Sequence, residues 1–218
     1  MRLLDLFCGA GGCSVGYARA GFEVVGVDVN PMSQYPFEFH QADALEYLDA
    51  HGREFDAIHA SPPCQDYSTT KSLHATVYPR LIEPSRALLA HIGRPYIIEN
   101  VEGARRDLRN PIKLCGSSFG LGVRRHRLFE TSWPILFTPP CAHHLQPEPI
   151  DVTGTGGPSS APRTAGGGEH RKPRNLAHAR EVMGIDWMNR QELSEAVPPA
   201  YTEWLGSELM AHLEAVAA

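Results

Sequence analysis

Long apolar runs are missing from this chain of 218 residues, and none of its hydrophobic stretches is long enough to span a bilayer. The start, Met1-Arg2-Leu3-Leu4-Asp5, places an acid too early for a signal peptide, and its apolar residues are needed for a first strand, so the chain is expected to be cytoplasmic. Cysteine is scarce: Cys8, Cys13, Cys64, Cys115 and Cys141 make an odd count of five, which excludes a disulfide framework. Cys141-Ala142-His143-His144 carries ligand-type side chains, but no C-x-x-C pair accompanies it, so no metal is expected. Internal repeats are absent. Global positive charge is also lacking, since 20 Lys and Arg stand against 25 Asp and Glu for a net charge of −5. Any polyanionic partner would have to be met by a local basic cluster.

The length suits one α/β domain plus a small insertion, with a core large enough to fold without staples. Apolar strand-like runs and helical stretches alternate to about residue 133, and then the pattern breaks. At the N-terminus, Arg2-Leu3-Leu4-Asp5-Leu6-Phe7 reads as a short apolar strand. Cys8-Gly9-Ala10-Gly11-Gly12 follows as a glycine-rich turn into a helix, and Val24-Val25-Gly26-Val27-Asp28 is a second strand ending in a carboxylate. Strand, glycine loop and helix N-terminus together let backbone amides approach a ligand. A tight αβ turn accounts for the glycines equally well, because F-x-G-x-G is not the G-x-G-x-x-G of dinucleotide binders.

Three further segments bear on chemistry. Residues 55–60 form an apolar run followed by Ser61-Pro62-Pro63-Cys64-Gln65-Asp66-Tyr67-Ser68, in which two prolines fix φ and aim the Cys64 thiol out of a strand end. Residues 95–101 run apolar until Glu99, as a buried parallel strand does when it delivers a carboxylate to a crevice at the sheet's carboxyl edge. Gly122-Val123-Arg124-Arg125-His126-Arg127 concentrates positive charge just before another apolar strand. Taken singly, these read as a buried cysteine, a solvated acid and a charged surface turn. Their order in the chain is more specific than any one of them.

Read in that order, the segments resemble the cytosine-C5 DNA methyltransferase family over nearly the whole chain. The resemblance implies an α/β fold, a Rossmann-like class I methyltransferase sheet with helices on both faces plus a small loop-rich insertion. It also implies S-adenosylmethionine as cofactor and DNA as partner, with no membrane association and a monomeric enzyme. Asp5-Leu6-Phe7-Cys8-Gly9-Ala10-Gly11-Gly12 looks like the family's cofactor loop, Asp28 its ribose acid, and Asp43 with Ala44 its adenine contact. Pro62-Pro63-Cys64-Gln65 resembles its nucleophile turn, Glu99-Asn100-Val101 its E-N-V, and Arg125-His126-Arg127 its R-x-R. Ala196-Val197-Pro198-Pro199 resembles the tail that returns to the cofactor. By this resemblance Cys64, Glu99, Arg125 and Arg127 are catalytic. The cofactor would be held by Phe7, Gly9, Ala10, Gly11, Gly12, Asp28, Val29, Asp43, Ala44, Pro62, Glu195 and Ala196.

The chemistry accounts for the residue types. Carbon 5 of cytosine is too weak a nucleophile to take a methyl group from a sulfonium until a thiolate adds at carbon 6. A protonated Glu99 donating to N3 and Arg127 at O2 would draw off the developing charge. The nucleotide must leave the duplex for both ring carbons to be reached. Residues 65–77, polar and following the nucleophile, read as a closing lid. Gln65, Ser68, Lys71, Arg124, Arg163, Arg171 and Lys172 are the candidate DNA contacts. The implied organisation is a cofactor-binding and catalytic part over 1–133, a short target-recognition region over 134–175, and a returning segment over 176–218. Within the last, helices are predicted over 177–183 and 201–217.

Three positions depart from the family pattern: Val123 where Gln is usual, Val29 where an aromatic often follows the ribose acid, and Glu195 where Asn is usual. An ionised Glu195 beside a sulfonium would favour the cationic cofactor over its neutral product; alternatively it faces solvent. RNA cytosine is the nearest alternative substrate. A non-catalytic DNA-binding protein on this fold and a plain nucleotide-binding protein are the readings from other classes.

Overall fold

A computed structural model describes residues 1–64, 80–153 and 171–217. Gln65, Ser68, Lys71 and Arg163, and the lid expected at 65–77, lie outside the described residues.

Seven strands form one sheet: β1 (Arg2–Leu6), β2 (Glu23–Asp28), β3 (Glu38–Gln41), β4 (Ala57–Ala60), β5 (Tyr96–Asn100), β6 (Ile112–Leu114) and β7 (Arg127–Thr131). Their order is β3-β2-β1-β4-β5-β7-β6. The first five in that order are mutually parallel, whereas β7 runs antiparallel to both β5 and β6. The central strands are apolar on both faces because both faces are covered. Successive residues point to opposite sides: Leu4 and Leu6 enter a cluster with Leu48, Ile58 and Leu89, while Leu3 joins Tyr17, Ile97, Tyr201 and Leu205.

The first layer carries α2 (Ala44–His51) and α3 (Ile82–Ile92); the second carries α1 (Gly12–Arg19) and α6 (Pro199–Ala217). The α1–α6 crossing is close. A Cβ on Gly16 would lie 2.0 Å from Thr202 Oγ1 and 2.2 Å from the Pro199 carbonyl oxygen, so only glycine lets the two backbones meet. Across the sheet, the buried Arg86 guanidinium on α3 donates from Nε and Nη2 to both carboxylate oxygens of Glu130 on β7, each at 2.7 Å. This bidentate pair ties the α3 layer to the far half of the sheet.

Residues 134–153 hold only one short 3-10 turn, His143–Leu145. A single bridge pairs Ile150 with Arg171, and Val152 packs on α4 (Leu176–Met183) and α5 (Arg190–Glu195) beside Met183, Ile185, Met188 and Leu193. α4 ends at Gly184, whose φ of 67° is left-handed as a helix stop requires. α6 begins two residues before the predicted start because Pro199 serves as its first turn. α5 was not anticipated, although Asn189 and Glu192 form the capping box that marks its start. No helix among the described residues is long and apolar enough to cross a membrane.

Candidate active site

The strand order reverses on either side of β1, which opens a crevice at the carboxyl edge of the sheet. The glycine loop leaves β1 there. Phe7 is held at φ 57° and Gly9 and Gly11 at 49° and 86°, so three of five consecutive residues are left-handed. The loop is anchored from below, with the Gly9 amide donating to Asp28 Oδ2 at 3.0 Å and the Cys8 amide to the Val27 carbonyl at 3.1 Å. Nothing lies within 4 Å of where a Gly9 Cβ would stand, so the backbone borders open space. A Cβ on Gly12, by contrast, would meet the Val197 carbonyl oxygen at 2.4 Å, which shows how closely the 196–198 tail returns to the loop. Trp187 closes the same corner by donating from Nε1 to the Ala10 carbonyl at 2.7 Å.

Cys64 stands, half-buried, past the end of β4. Glu99 lies buried near the end of β5. Because β7 is antiparallel to β5 and pairs Leu128 with Asn100, its first residue, Arg127, arrives at the same rim. Arg127 Nε lies 3.1 Å from Glu99 Oε1, yet that oxygen has no hydrogen bond of good geometry. Burial pushes the Glu99 carboxyl up despite Arg127, the Ser61 hydroxyl and Arg125, which all pull it down. Burial also pushes the Cys64 thiol up; Glu99 adds to that, and Arg127 and Arg125 oppose it. A buried, protonatable carboxyl, a thiol and two guanidinium groups therefore share one electrostatic neighbourhood.

Arg125 has a left-handed φ of 33°. Its Nη2 donates to the Ser194 carbonyl at 2.7 Å, while Nε and Nη1 are buried with no hydrogen-bond partner. Burial and the neighbouring Arg127 lower it to about 9. Two donors held dry beside a second cation form a site for acceptor oxygens.

Several residues that position this rim were not singled out from the sequence. Asn100 donates from Nδ2 to the Pro62 carbonyl at 2.9 Å and accepts from the Val101 amide at 2.9 Å, tying the Pro62-Pro63-Cys64 turn to β5. His59, fully buried on β4, is hydrogen-bonded through Nδ1 to the Tyr17 hydroxyl and through Nε2 to Ser61 Oγ, each at 2.8 Å. Burial holds this imidazole neutral, pushing it down to about 3. The Ser61 hydroxyl is also one of the groups that pull the Glu99 carboxyl down. Another buried chain runs from Tyr35 through Ser14 to Asp5 under the glycine loop. A polar residue inside an apolar strand, as in His59 and Asp5, was the available signal.

The remaining predicted positions are placed as follows. Asp28 Oδ1 accepts from the Asn30 amide at 2.9 Å and from Asn30 Nδ2 at 3.2 Å, while Oδ2 accepts only from Gly9, so that oxygen retains acceptor capacity. Asp43 caps α2, with Oδ1 accepting from the Leu45 and Glu46 amides, and Ala44 is buried as that helix's first residue. Val29 is 65 % exposed, and Glu195 is exposed at the end of α5 next to half-buried Ala196. Arg124 donates to the Gln146 carbonyl at 2.9 Å, Arg171 pairs with Glu148 at 2.6 Å, and Lys172 pairs with Asp151 at 2.8 Å.

Comparison with known proteins points the same way. The family model for C-5 cytosine-specific DNA methylase matches residues 1–110, which carry the glycine loop, the Cys64 turn and Glu99. Among curated relatives, the type II methyltransferase M.FnuDI of Fusobacterium nucleatum is 33 % identical over 115 residues, covering 47 % of this chain and 33 % of that protein. M.HgiDI of Herpetosiphon aurantiacus is 34 % identical over 120 residues, covering 48 % of this chain and 38 % of its own. The matches thus span about a third of these relatives' length. The fold is shared with solved structures at low identity. The S. pombe Dnmt2 methyltransferase has a TM-score of 0.60 at 13 % identity, covering 98 % of this chain and 99 % of its own. Entamoeba histolytica EhMeth has 0.61 at 14 %, covering 100 % and 99 %. With half of its residues matched by the family model and the motif side chains gathered at one rim of the sheet, the chain belongs to the C-5 cytosine-specific DNA methylase family.

Proposed function

We propose that the protein transfers a methyl group from S-adenosylmethionine to carbon 5 of cytosine in DNA, through a covalent Cys64 adduct on an extruded base. The observation that carries this reading is the convergence of Cys64, Glu99 and Arg127 from the ends of three adjacent strands. The open space beside Gly9 and the spare acceptor capacity of Asp28 fit a nucleoside-bearing cofactor. Phe7, Gly9, Ala10, Gly11, Gly12, Asp28, Val29, Asp43, Ala44 and Pro62 would hold it, with Glu195 and Ala196 at the returning tail. When bound, it supplies an electrophilic methyl group.

The protein's own residues do the rest. The buried Glu99 keeps its proton and donates it to N3 as Cys64 sulfur bonds to carbon 6, so the carbon 5–carbon 6 π pair moves into a neutral carbon 4–carbon 5 enamine instead of a buried anion. Arg127 holds the O2 oxygen. Protonation of Glu99 also removes the like charge that raises the thiol, leaving Arg127 and Arg125 to favour thiolate. Carbon 5 takes the methyl group, its proton passes to water, the N3 proton returns to Glu99, and the carbon 6–sulfur bond breaks to return Cys64 as thiolate. The segment 134–175 is read as a minimal target-recognition region.

Purified protein is incubated with labelled cofactor and mixed-sequence duplex DNA, with RNA as competitor. Label on carbon 5 of DNA cytosine, abolished in Cys64→Ala, is the expected result. Label on RNA alone moves the substrate to RNA. No label on either, or full activity in Cys64→Ala, overturns the proposal.

A further inference from the structure

Beside the two arginines, four metal-ligand side chains from three places in the sequence meet. Cys115 lies just past β6, His126 between Arg125 and Arg127, and Cys141 and His143 in the segment after β7. Their ligand atoms all lie within 4.8 Å of one another. Cys115 Sγ is 3.3 Å from His143 Nε2, the two imidazole Nε2 atoms are 3.3 Å apart, and Cys141 Sγ is 3.6 Å from His126 Nε2. A zinc ion with Zn–S of about 2.3 Å and Zn–N of about 2.0–2.1 Å in tetrahedral geometry has S···N edges of roughly 3.5 Å and N···N edges of roughly 3.3 Å. Three of the six separations, at 3.3, 3.3 and 3.6 Å, lie close to those edges. All four groups are on hand without a disulfide, since both cysteines are free.

The surroundings are built as a metal site's are. Glu102 Oε2 lies 3.2 Å from His126 Nδ1, so a carboxylate takes the proton of the far ring nitrogen and turns the Nε2 lone pair into the cluster. Ser117 Oγ stands 3.1 Å from Cys115 Sγ and accepts from the Ala142 amide at 3.0 Å, which binds the Cys141–His143 segment to the Cys115 turn. Two thiolates would neutralise a divalent cation, and mixed sulfur and imidazole ligation selects zinc over the oxygen-seeking magnesium and calcium.

We propose that Cys115, His126, Cys141 and His143 bind one zinc ion as a closed structural site. The absence of a C-x-x-C pair argued against a metal in the sequence. That premise fails because the fold, not local spacing, brings the ligands together. Four protein ligands leave no open position, so the ion's role is to cross-link: it joins the end of β6, the Arg125-His126-Arg127 loop and the start of the insertion. Since His126 separates the two arginines that face Glu99 and Cys64, the ion fixes their backbone. This assignment does not depend on the methyl-transfer reading.

The test is metal analysis of the untagged full chain, with cobalt substitution. The expected result is about one zinc per chain, lost at least tenfold in Cys141→Ser and His143→Ala and retained in Cys13→Ser, which lies outside the cluster. Should a variant fail to fold, the wild-type chain decides alone. After chelation and addition of cobalt(II), it should show the intense visible bands of tetrahedral cobalt with a thiolate charge-transfer band, displaced by zinc. A folded wild-type chain that takes up neither metal, a weak octahedral cobalt spectrum, or unchanged zinc in both ligand variants overturns the proposal.

Discussion

Two buried titrating groups with opposite linkage to folding, Asp5 and His59, yield a test that needs no substrate. Burial raises the Asp5 carboxyl from 3.8 to about 7, with Ser14 partly opposing, and burial lowers the His59 imidazole from 6.5 to about 3. For His59 the unfolded chain binds a proton below pH 6.5 that the folded chain refuses, so its contribution is complete above pH 6.5 and is lost as pH falls toward 3. For Asp5 the folded chain holds a proton that the unfolded chain gives up above pH 3.8, so stability is lost as pH rises toward 7. Between pH 3.8 and 6.5 each slope is about 1.4 kcal/mol per pH unit, or roughly 3 kcal/mol across the window, and the two cancel. Asp5→Asn keeps an acceptor for Ser14 and removes one slope; His59→Gln removes the other. Urea unfolding followed by tryptophan fluorescence across that window should show Asp5→Asn gaining on the wild type as pH rises and His59→Gln losing ground. Difference curves that are flat, or that share one sign, refute the linkage.

Other expectations follow from single contacts. Glu130→Ala leaves the buried Arg86 guanidinium without its bidentate partner and should cost about 3–5 kcal/mol in urea unfolding; a cost under about 1 kcal/mol would show that Asp107 and Glu83 suffice. Asn100→Leu strands the Pro62 carbonyl and the Val101 amide and should cost roughly 2–4 kcal/mol, with kcat for methyl transfer falling more than cofactor KM rises. An unchanged kcat would separate Asn100 from the Cys64 turn. Because the Glu99 carboxyl is raised and the proposed mechanism uses its protonated form, the wild-type rate should decline on the alkaline side as that proton is lost. Glu99→Gln should lower kcat by about 10²-fold or more and abolish that decline. Persistence of the alkaline limb in Glu99→Gln would assign it to another group.

Much of the fold was legible because buried parallel strands must be apolar and helices must be stopped. The runs ending at Asp28, Cys64 and Glu99, and the stop at Gly184, are local statements of burial and left-handed backbone. α5 was passed over because six residues carry too little periodicity, even with its capping box written in Asn189 and Glu192. Asn100 and Trp187 were invisible as positioning residues for another reason: each acts through a partner 38 or 177 residues away.

By itself, then, the sequence marked out the segments that carry the family resemblance and the strands they follow. A nucleophile turn, a buried acid and a basic loop are properties of short segments, and their order specified the family. Only the tertiary structure decided how they act on one another. The antiparallel entry of β7 sets Arg127 against Glu99, and burial keeps Glu99 and Cys64 raised. Cys115, His126, Cys141 and His143, spread over 29 residues of chain, come within 4.8 Å only because β6, β7 and the insertion pack together. Local spacing encodes a ligand pair on one turn; it does not encode four that distant segments bring to a single point.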